Sequence, residues 1–493
     1  MGGTIRGAAR FTVVGITHQG MPAMPFRRNR IVSFLTAVSL LAWSGSAPAQ
    51  SQEEALGAQE HPKLVQQYGG EYRDPKLNAF VQSIGRRLAQ AAGTNVPWSF
   101  TVLDSDVVNA FALPGGYVHL TRGLMALAKD EAEVAGVMAH EMGHVLEHHS
   151  SERVNRSTLA GLLAMGVGAV LGSPEIAQVL GMGSNLYIAS YSRRQETEAD
   201  EVGVRLLQAA GYDPMAMATF LETMNRYSQY EALKSGKKKS EGFDMMASHP
   251  QTEDRVQHAA DLARKVPRGD RPVQPYMAAM ENTIWGDSPE NGFVRGNAFV
   301  HPALGIGFTV PQGYSLLNGA EQVAAKGPNG AIMLFDGGRS PAARDPVSFL
   351  AQALQGGRAQ AVQRLDINGL PAATAVTQAE TEQGQVDARL VVVSVGNDTL
   401  YKFTFVAPSG SLQRHDASFE QTARSFHRLS QREAAGYRPE RIRTQPVRPG
   451  DTVEGFVARM QGQPYAEELF RIINDLPPGT PVQARPVVKV IVQ

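Results

Sequence analysis

The sequence predicts an α+β fold built in three successive units. These are a mainly helical unit with a small sheet over residues 50–270, a separate α+β unit over 285–432, and a small β-α-α-β unit over 440–493. Three observations predict it. Apolar residues recur at helical spacing through most of 76–265, broken by two short strand-like runs. Near residue 270 the texture changes to short strand-like pieces. The last fifty residues change again, into two short helical stretches and a closing Val-rich run. A length of 493 residues accommodates about three domains. Hydrophobic content of 43% and charged content of 19% describe an ordinary globular protein, and a formal net charge of zero gives no sign of a nucleic-acid partner.

Residues 1–49 stand apart. They hold Arg6, Arg10, Arg27, Arg28 and Arg30 and no acid. Arg27, Arg28 and Arg30 precede an apolar run from Ile31 to Trp43, and Ala47-Pro48-Ala49 follows as a small-residue cleavage site. That order predicts a signal peptide cut near Ala49. The apolar run is too short for a comfortable membrane span. Without this leader the chain carries five more acidic than basic residues. The chain has no cysteine, which excludes thiol catalysis, Cys-ligated zinc and disulfides. An exported chain without disulfides relies on its cores, and the expected address is a bacterial periplasm.

Residues 50–75 are polar and read as a loose lead-in. Leu77, Phe80, Val81, Ile84 and Leu88 mark a helix over Lys76–Ala92. Strands are expected over Trp98–Leu103 and Tyr117–Thr121, with Asn109–Gly116 at a sheet edge or turn because Pro114, Gly115 and Gly116 would break a central strand. Asp130 is an N-cap for the next helix. Residues 157–190 are rich in Gly, Ala and Met and read as a buried helix pair, since Gly172-Ser173-Pro174 interrupts them. The other reading of that segment is a helical hairpin facing a membrane, as a peripheral contact, or facing substrate. A helix follows over Arg194–Ala210, stopped by Gly211, and Asp213-Pro214 opens another. Lys237–Lys239 reads as a solvated loop tip. In the second unit, strands are expected at Ile306–Val310, Ala331–Phe335, Leu390–Val395 and Tyr401–Val406, and helices at Val347–Leu354 and Asp416–Leu429. Glu467–Asn474 and Val487–Val492 supply the second helix and last strand of the C-terminal unit.

The chemistry lies in His140-Glu141-Met142-Gly143-His144. On a helix, i and i+4 share a face, so both imidazoles reach one metal ion while Glu141 lies beside a metal-bound water. Two ligands and a general base are the minimal kit of a zinc peptidase. A catalytic zinc needs a third protein ligand. Glu196 and Asp200, again i and i+4, offer a ligand and a partner for the far ring nitrogen of a ligand histidine, expected to be His140. Glu198 points about 160° away from Asp200 and is the weaker candidate.

His-Glu-x-x-His followed by Glu-x-x-x-Asp resembles the gluzincins. Asn109-Ala-Phe-Ala-Leu-Pro-Gly-Gly116 and Tyr191-Ser-Arg-Arg-Gln-Glu-Thr-Glu-Ala-Asp200 narrow the resemblance to peptidase family M48, and Ser248-His-Pro-Gln-Thr-Glu-Asp-Arg255 resembles its BepA/YfgC-like branch. The resemblance covers about residues 58–265. It implies a zincin-type domain with one Zn2+ per chain held by His140, His144 and Glu196, Glu141 as general base, and Asp200 behind the ligands. It also implies His249 and Arg255 across the cleft, with His249 either stabilising an oxyanion or capping the zinc at rest. Asn109, Ala110, Phe111, Ala112 and Leu113 would be the edge strand against which an extended substrate pairs. His149 is expected to pack or hydrogen-bond, and His61, His119, His148 and His258 to be structural or exposed. The helical repeats that often follow the peptidase domain in that branch are not expected from residues 266–493. The C-terminal unit resembles a LysM-like module through Val447-Arg-Pro-Gly-Asp-Thr-Val453, with Pro477, Pro478 and Pro481 disturbing its second half. That resemblance implies contact with peptidoglycan or a degenerate structural cap.

The expectation is therefore an exported zinc metalloendopeptidase of the periplasm acting on protein substrates, misfolded envelope proteins in particular. Two rivals are a chaperone or scaffold with latent peptidase activity and a peptidoglycan-associated binding protein.

Overall fold

The computed structural model describes residues 49–149, 191–235, 249, 253–320, 322–339, 345–354, 362–381 and 384–493. Residues 1–48 of the expected leader, the apolar 157–190 segment and the 237–239 lysine run lie outside the described residues. The fold is α+β.

Residues expected as a loose lead-in instead form helix α1 (Ala49–Gln67). Its few apolar side chains are enough because Leu64, with Tyr68 just beyond, packs on Leu103 and Leu113. Helix α2 (Pro75–Ala92) starts where Asp74 accepts hydrogen bonds from the amides of Lys76 and Leu77, and it ends at the left-handed Gly93. It buries the expected Leu77, Phe80, Val81, Ile84 and Leu88 face.

Three strands follow: β1 (Ser99–Leu103), β2 (Ala110–Leu113) and β3 (Tyr117–Thr121). β3 is central, parallel to β1 and antiparallel to β2. The β2–β3 turn runs through Gly115 and Gly116, both at positive φ. Thr121 caps the short helix α3 (Arg122–Leu127).

Helix α4 (Glu131–Leu146) carries the His-Glu-x-x-His residues, and the amide of Glu133 donates to its N-cap, Asp130. Nearly all of its side chains are buried, so its tertiary contacts rather than a polar face hold it. Helix α5 (Arg193–Ala209) opens with a Ser192–Gln195 capping box. The two helices approach closely at glycines. A Cβ on Gly143 would lie 2.9 Å from the carbonyl oxygen of Ala199, and one on Gly203 would lie 3.3 Å from the amide nitrogen of His140. This approach sets the start of α5 beside the histidine face of α4. Helices α6 (Met215–Ser235), α7 (Glu253–Arg264) and α8 (Val273–Met280) surround the pair.

A two-residue strand, β4 (Ile284–Trp285), precedes the second unit. There β5 (Phe293–Arg295), β6 (Ala298–His301) and β7 (Ile306–Thr309) form a sheet with β15 (His427–Arg428). A seven-stranded sheet joins β8 (Ser315–Asn318), β9 (Val323–Lys326), β10 (Ile332–Arg339), β11 (Gln363–Ile367), β12 (Leu370–Thr381), β13 (Gly384–Gly396) and β14 (Thr399–Pro408), in the order β11-β12-β13-β14-β10-β9-β8. Helices α9 (Pro346–Ala353) and α10 (Leu412–Ser425) pack on its strands. Phe299, Phe308, Phe335, Phe403, Phe405 and Phe419 centre its own core.

After α11 (Gln431–Gly436), the C-terminal unit runs β16 (Glu440–Pro446), α12 (Val453–Val457), α13 (Ala466–Ile473) and β17 (Val487–Val492). β16 lies between β17 and β4. The C-terminal unit's apolar residues, Phe456, Leu469, Phe470 and Val490 among them, belong to the same continuous core as α2, α4 and α6. The fully buried Lys489 donates from Nζ to the Ala126 carbonyl and the Tyr276 hydroxyl, each at 2.7 Å, and to the Ala128 carbonyl. Tyr230 Oη donates to the Pro464 carbonyl, and Arg226 pairs with Asp475 at 3.2 Å.

Candidate active site

His140 and His144 stand one turn apart on α4 with their Nε2 atoms 3.1 Å apart. Glu196, in the first turn of α5, brings one carboxylate oxygen to 3.6 Å from His140 Nε2 and the other to 3.6 Å from His144 Nε2. His249 approaches from outside both helices. Its Nδ1 lies 3.0 Å from Glu196 Oε1 and 3.3 Å from His140 Nε2. The donor atoms of these four buried residues all lie within 4.8 Å of one another.

The donor set fits zinc. Tetrahedral Zn2+ with bonds of about 2.0–2.1 Å sets its ligand atoms about 3.3–3.4 Å apart. Five of the six donor pairs approach to 3.0–3.6 Å, with both Glu196 oxygens counted. Three nitrogens and a carboxylate oxygen are borderline donors that suit zinc, and without cysteine no thiolate competes.

Behind the donors, His140 Nδ1 lies 2.8 Å from Asp200 Oδ1. Arg255 grips both Asp200 oxygens, with Nε donating at 2.9 Å and Nη2 at 2.8 Å, and its Nη1 lies 2.5 Å from Glu196 Oε2. Burial alone would raise the Asp200 carboxyl, but the Arg255 guanidinium and the His140 imidazole outweigh it and hold the group at about 2. Glu196 is lowered in the same way, against its own burial, by His249, Arg255 and His140. Burial pulls His140 down, and the Asp200 hydrogen bond and charge more than reverse it. Arg255 is raised by the two carboxylates despite its burial.

Glu141 is fully buried, and neither of its carboxylate oxygens has a hydrogen-bond partner among the described residues. His249 Nε2 lies 3.5 Å from its Oε1.

Residues 75–263 match the family model described as Peptidase family M48. The chain is 32% identical over 180 residues to the metalloprotease LoiP of Escherichia coli (strain K12), a match that covers 67% of that protein and 35% of this chain. The chain belongs to peptidase family M48. It is also 33% identical over 218 residues to the beta-barrel assembly-enhancing protease of Yersinia pestis, covering 42% of this chain and 43% of that one. The protein of that name from Escherichia coli (strain K12) is 32% identical over 203 residues, covering 39% and 40%. The chain thus spans less than half the length of these two relatives. Every residue of the cluster lies inside the M48 match, and residues 264–493 lie outside it.

Within this M48 unit the structure brings together His140, Glu141, His144, Glu196, Asp200, His249 and Arg255. Arg255 lies behind the ligands, on Asp200 and Glu196. Of the remaining motif residues, Ala110–Leu113 form the terminal strand of the small sheet, packed against α4, and Asn109 donates from Nδ2 to Tyr68 Oη. His119 is buried under Phe111, with Nε2 at 2.9 Å from His61 Nδ1. The exposed His148 faces Glu53, and His258 faces Glu201. Residue-by-residue reading gave Tyr191 no role of its own. Its ring stacks on His144 at 3.7 Å between centroids, and the only local signal was an aromatic residue directly before the Ser192 cap.

Proposed function

We propose that this M48 chain is a zinc metalloendopeptidase that hydrolyses peptide bonds of protein substrates. The observation that carries the reading is the buried Glu141 carboxylate, without a hydrogen-bond partner among the described residues, beside four converging donors. His140, His144 and Glu196 would hold the ion, whose chemistry is to polarise a water and lower its pKa toward about 7.

The chain's own residues then do the following. Glu141 takes the proton of the attacking water on a carboxylate oxygen that no other group occupies, and passes it to the leaving amine. Asp200 holds the Nδ1 proton of His140, leaving Nε2 with its lone pair toward the ion. Arg255 offsets the charge of Asp200 and Glu196, so both carboxylates stay ionised in a buried site. His249 would offer the ion a further donor at rest and would have to withdraw before water or substrate entered. Of the two roles the sequence left open for it, the 3.0 and 3.3 Å approaches to Glu196 and His140 support the resting cap.

The substrate class follows from the proteases named above. We read the chain as an exported periplasmic enzyme of envelope protein quality control, on the strength of its leader sequence and those relatives. Ala110–Leu113 at the sheet terminus is the strand we assign to substrate backbone pairing. No described helix is long and apolar enough to cross a membrane. We read residues 440–493 as LysM-like from their β-α-α-β order, and the core they share with α2, α4 and α6 supports the structural-cap reading over a freely held glycan module. Cleavage of casein by the mature chain and by its Glu141→Gln variant tests the proposal. The variant should keep its zinc and fold and lose cleavage; equal cleavage by both would overturn it.

A further inference from the structure

We propose that His149 and Glu198 form a two-residue arm that fixes the tautomer of His144 and so prepares it for metal capture. The inference rests on the zinc reading and deepens it.

The two ligand histidines of α4 are supported differently. His140 has a carboxylate directly on its far nitrogen, Asp200 at 2.8 Å. The far nitrogen of His144 instead meets another imidazole, with His149 Nδ1 at 3.1 Å. Two facing ring nitrogens can share only one proton, so the pair has two arrangements. In one, His144 carries the proton on Nδ1, donates to His149, and turns a bare Nε2 toward the donor cluster. In the other, His149 donates, and His144 must carry its proton on Nε2, where it blocks the metal.

Glu198 decides between them. Its Oε2 lies 3.1 Å from His149 Nε2. A carboxylate only accepts, so it selects the His149 tautomer with the proton on Nε2 and leaves Nδ1 as an acceptor. That acceptor then holds the Nδ1 proton of His144. Arg194 completes the chain by donating from Nη1 to Glu198 Oε1 at 2.6 Å. His149 is buried, Glu198 is about one-third exposed at 34%, and Arg194 is exposed, so the arm runs outward from the cluster to solvent. Stacking of Tyr191 on His144 restrains the ring plane but leaves the proton position open. His149 itself is no ligand, because its Nδ1 faces the side of His144 away from the cluster.

The test measures the zinc affinity of the full mature chain by competition with a chromophoric chelator, with circular dichroism to confirm the fold. Glu198→Ala and His149→Phe should each weaken zinc binding by about 10- to 100-fold. The double variant should be no weaker than the worse single, because both act through one arm. In His149→Gln the amide oxygen can accept from His144 without help, so affinity should partly recover and Glu198→Ala should add no further loss. Single-variant affinities within twofold of wild type, or fully additive losses, would overturn the arm while leaving the zinc site standing. A wild-type chain that binds no zinc would overturn the zinc reading and the arm with it. Glu198 is about one-third exposed, so its variant keeps the test decisive if His149→Phe fails to fold.

Discussion

Replacing Arg255 by Met should destabilise the metal-free protein far more than the zinc-loaded one. Arg255 is 7% exposed, and its guanidinium spans Asp200 and Glu196, both fully buried, through contacts of 2.5 to 2.9 Å. Without metal, its guanidinium is the one permanently charged cation facing Glu196 and Asp200 among the described residues of the cluster. Methionine preserves most of the stem but leaves two adjacent buried carboxylates uncompensated, a loss of about 3–5 kcal/mol. For a unit of roughly 200 residues this lowers Tm by about 6–20 °C. Bound zinc supplies two positive charges to the same carboxylates, so the loaded variant should lose only a fraction of that. The acid response should change as well. Asp200, held at about 2, contributes stability that is present above its unfolded value and lost as pH falls through about 2. Without Arg255 that contribution shrinks and acid unfolding begins at higher pH. Circular-dichroism melting of wild type and variant, each with chelator and with zinc, reads the difference. Equal Tm losses in both states, or none without metal, would refute the charge argument.

Three further outcomes follow from the geometry. His249→Ala should raise casein cleavage if the imidazole caps the fourth position, whereas a fall in kcat would assign it to oxyanion stabilisation. His119 is pushed down to about 3 by burial, with His61 adding to the effect, so it stays neutral in the fold while the unfolded chain takes up a proton below about 6.5. Stability should therefore fall as pH drops from about 6.5 toward 3, by about 2 kcal/mol at pH 5, and His119→Gln should flatten that slope in denaturant titrations. Deleting residues 440–493 should unfold the peptidase unit, because Leu469, Phe470 and Val490 leave a shared core; a truncated chain that melts like the full one would contradict this.

The cluster was legible where helix geometry alone decides. His140 with His144, and Glu196 with Asp200, are i and i+4 pairs, and no long-range contact is needed to put each pair on one face. The Asp130 cap and the α2 face followed from local pattern in the same way. Arg255 was not legible in its position, because sequence cannot tell an arginine that faces a cleft from one that grips two carboxylates from behind. Nor was α1, whose docking depends on Leu64 and Tyr68 meeting residues some forty positions away. β12 reads LPAATAVTQAET, with little strand signal of its own, and its length is set by pairing with β13. The burial of Lys489 against Ala126 and Ala128 joins residues over 360 positions apart, beyond any local signal.

In the proposed enzyme, one zinc ion on His140, His144 and Glu196, served by Glu141, cleaves peptide bonds. Titrating zinc into chelator-stripped chain while following casein cleavage tests it most directly. Cleavage should be absent at the start and rise in step with bound zinc to a plateau at about one ion per chain, while Glu141→Gln binds the same zinc and stays inactive. A stripped, folded chain that already cleaves, or a plateau unrelated to bound zinc, would contradict the account.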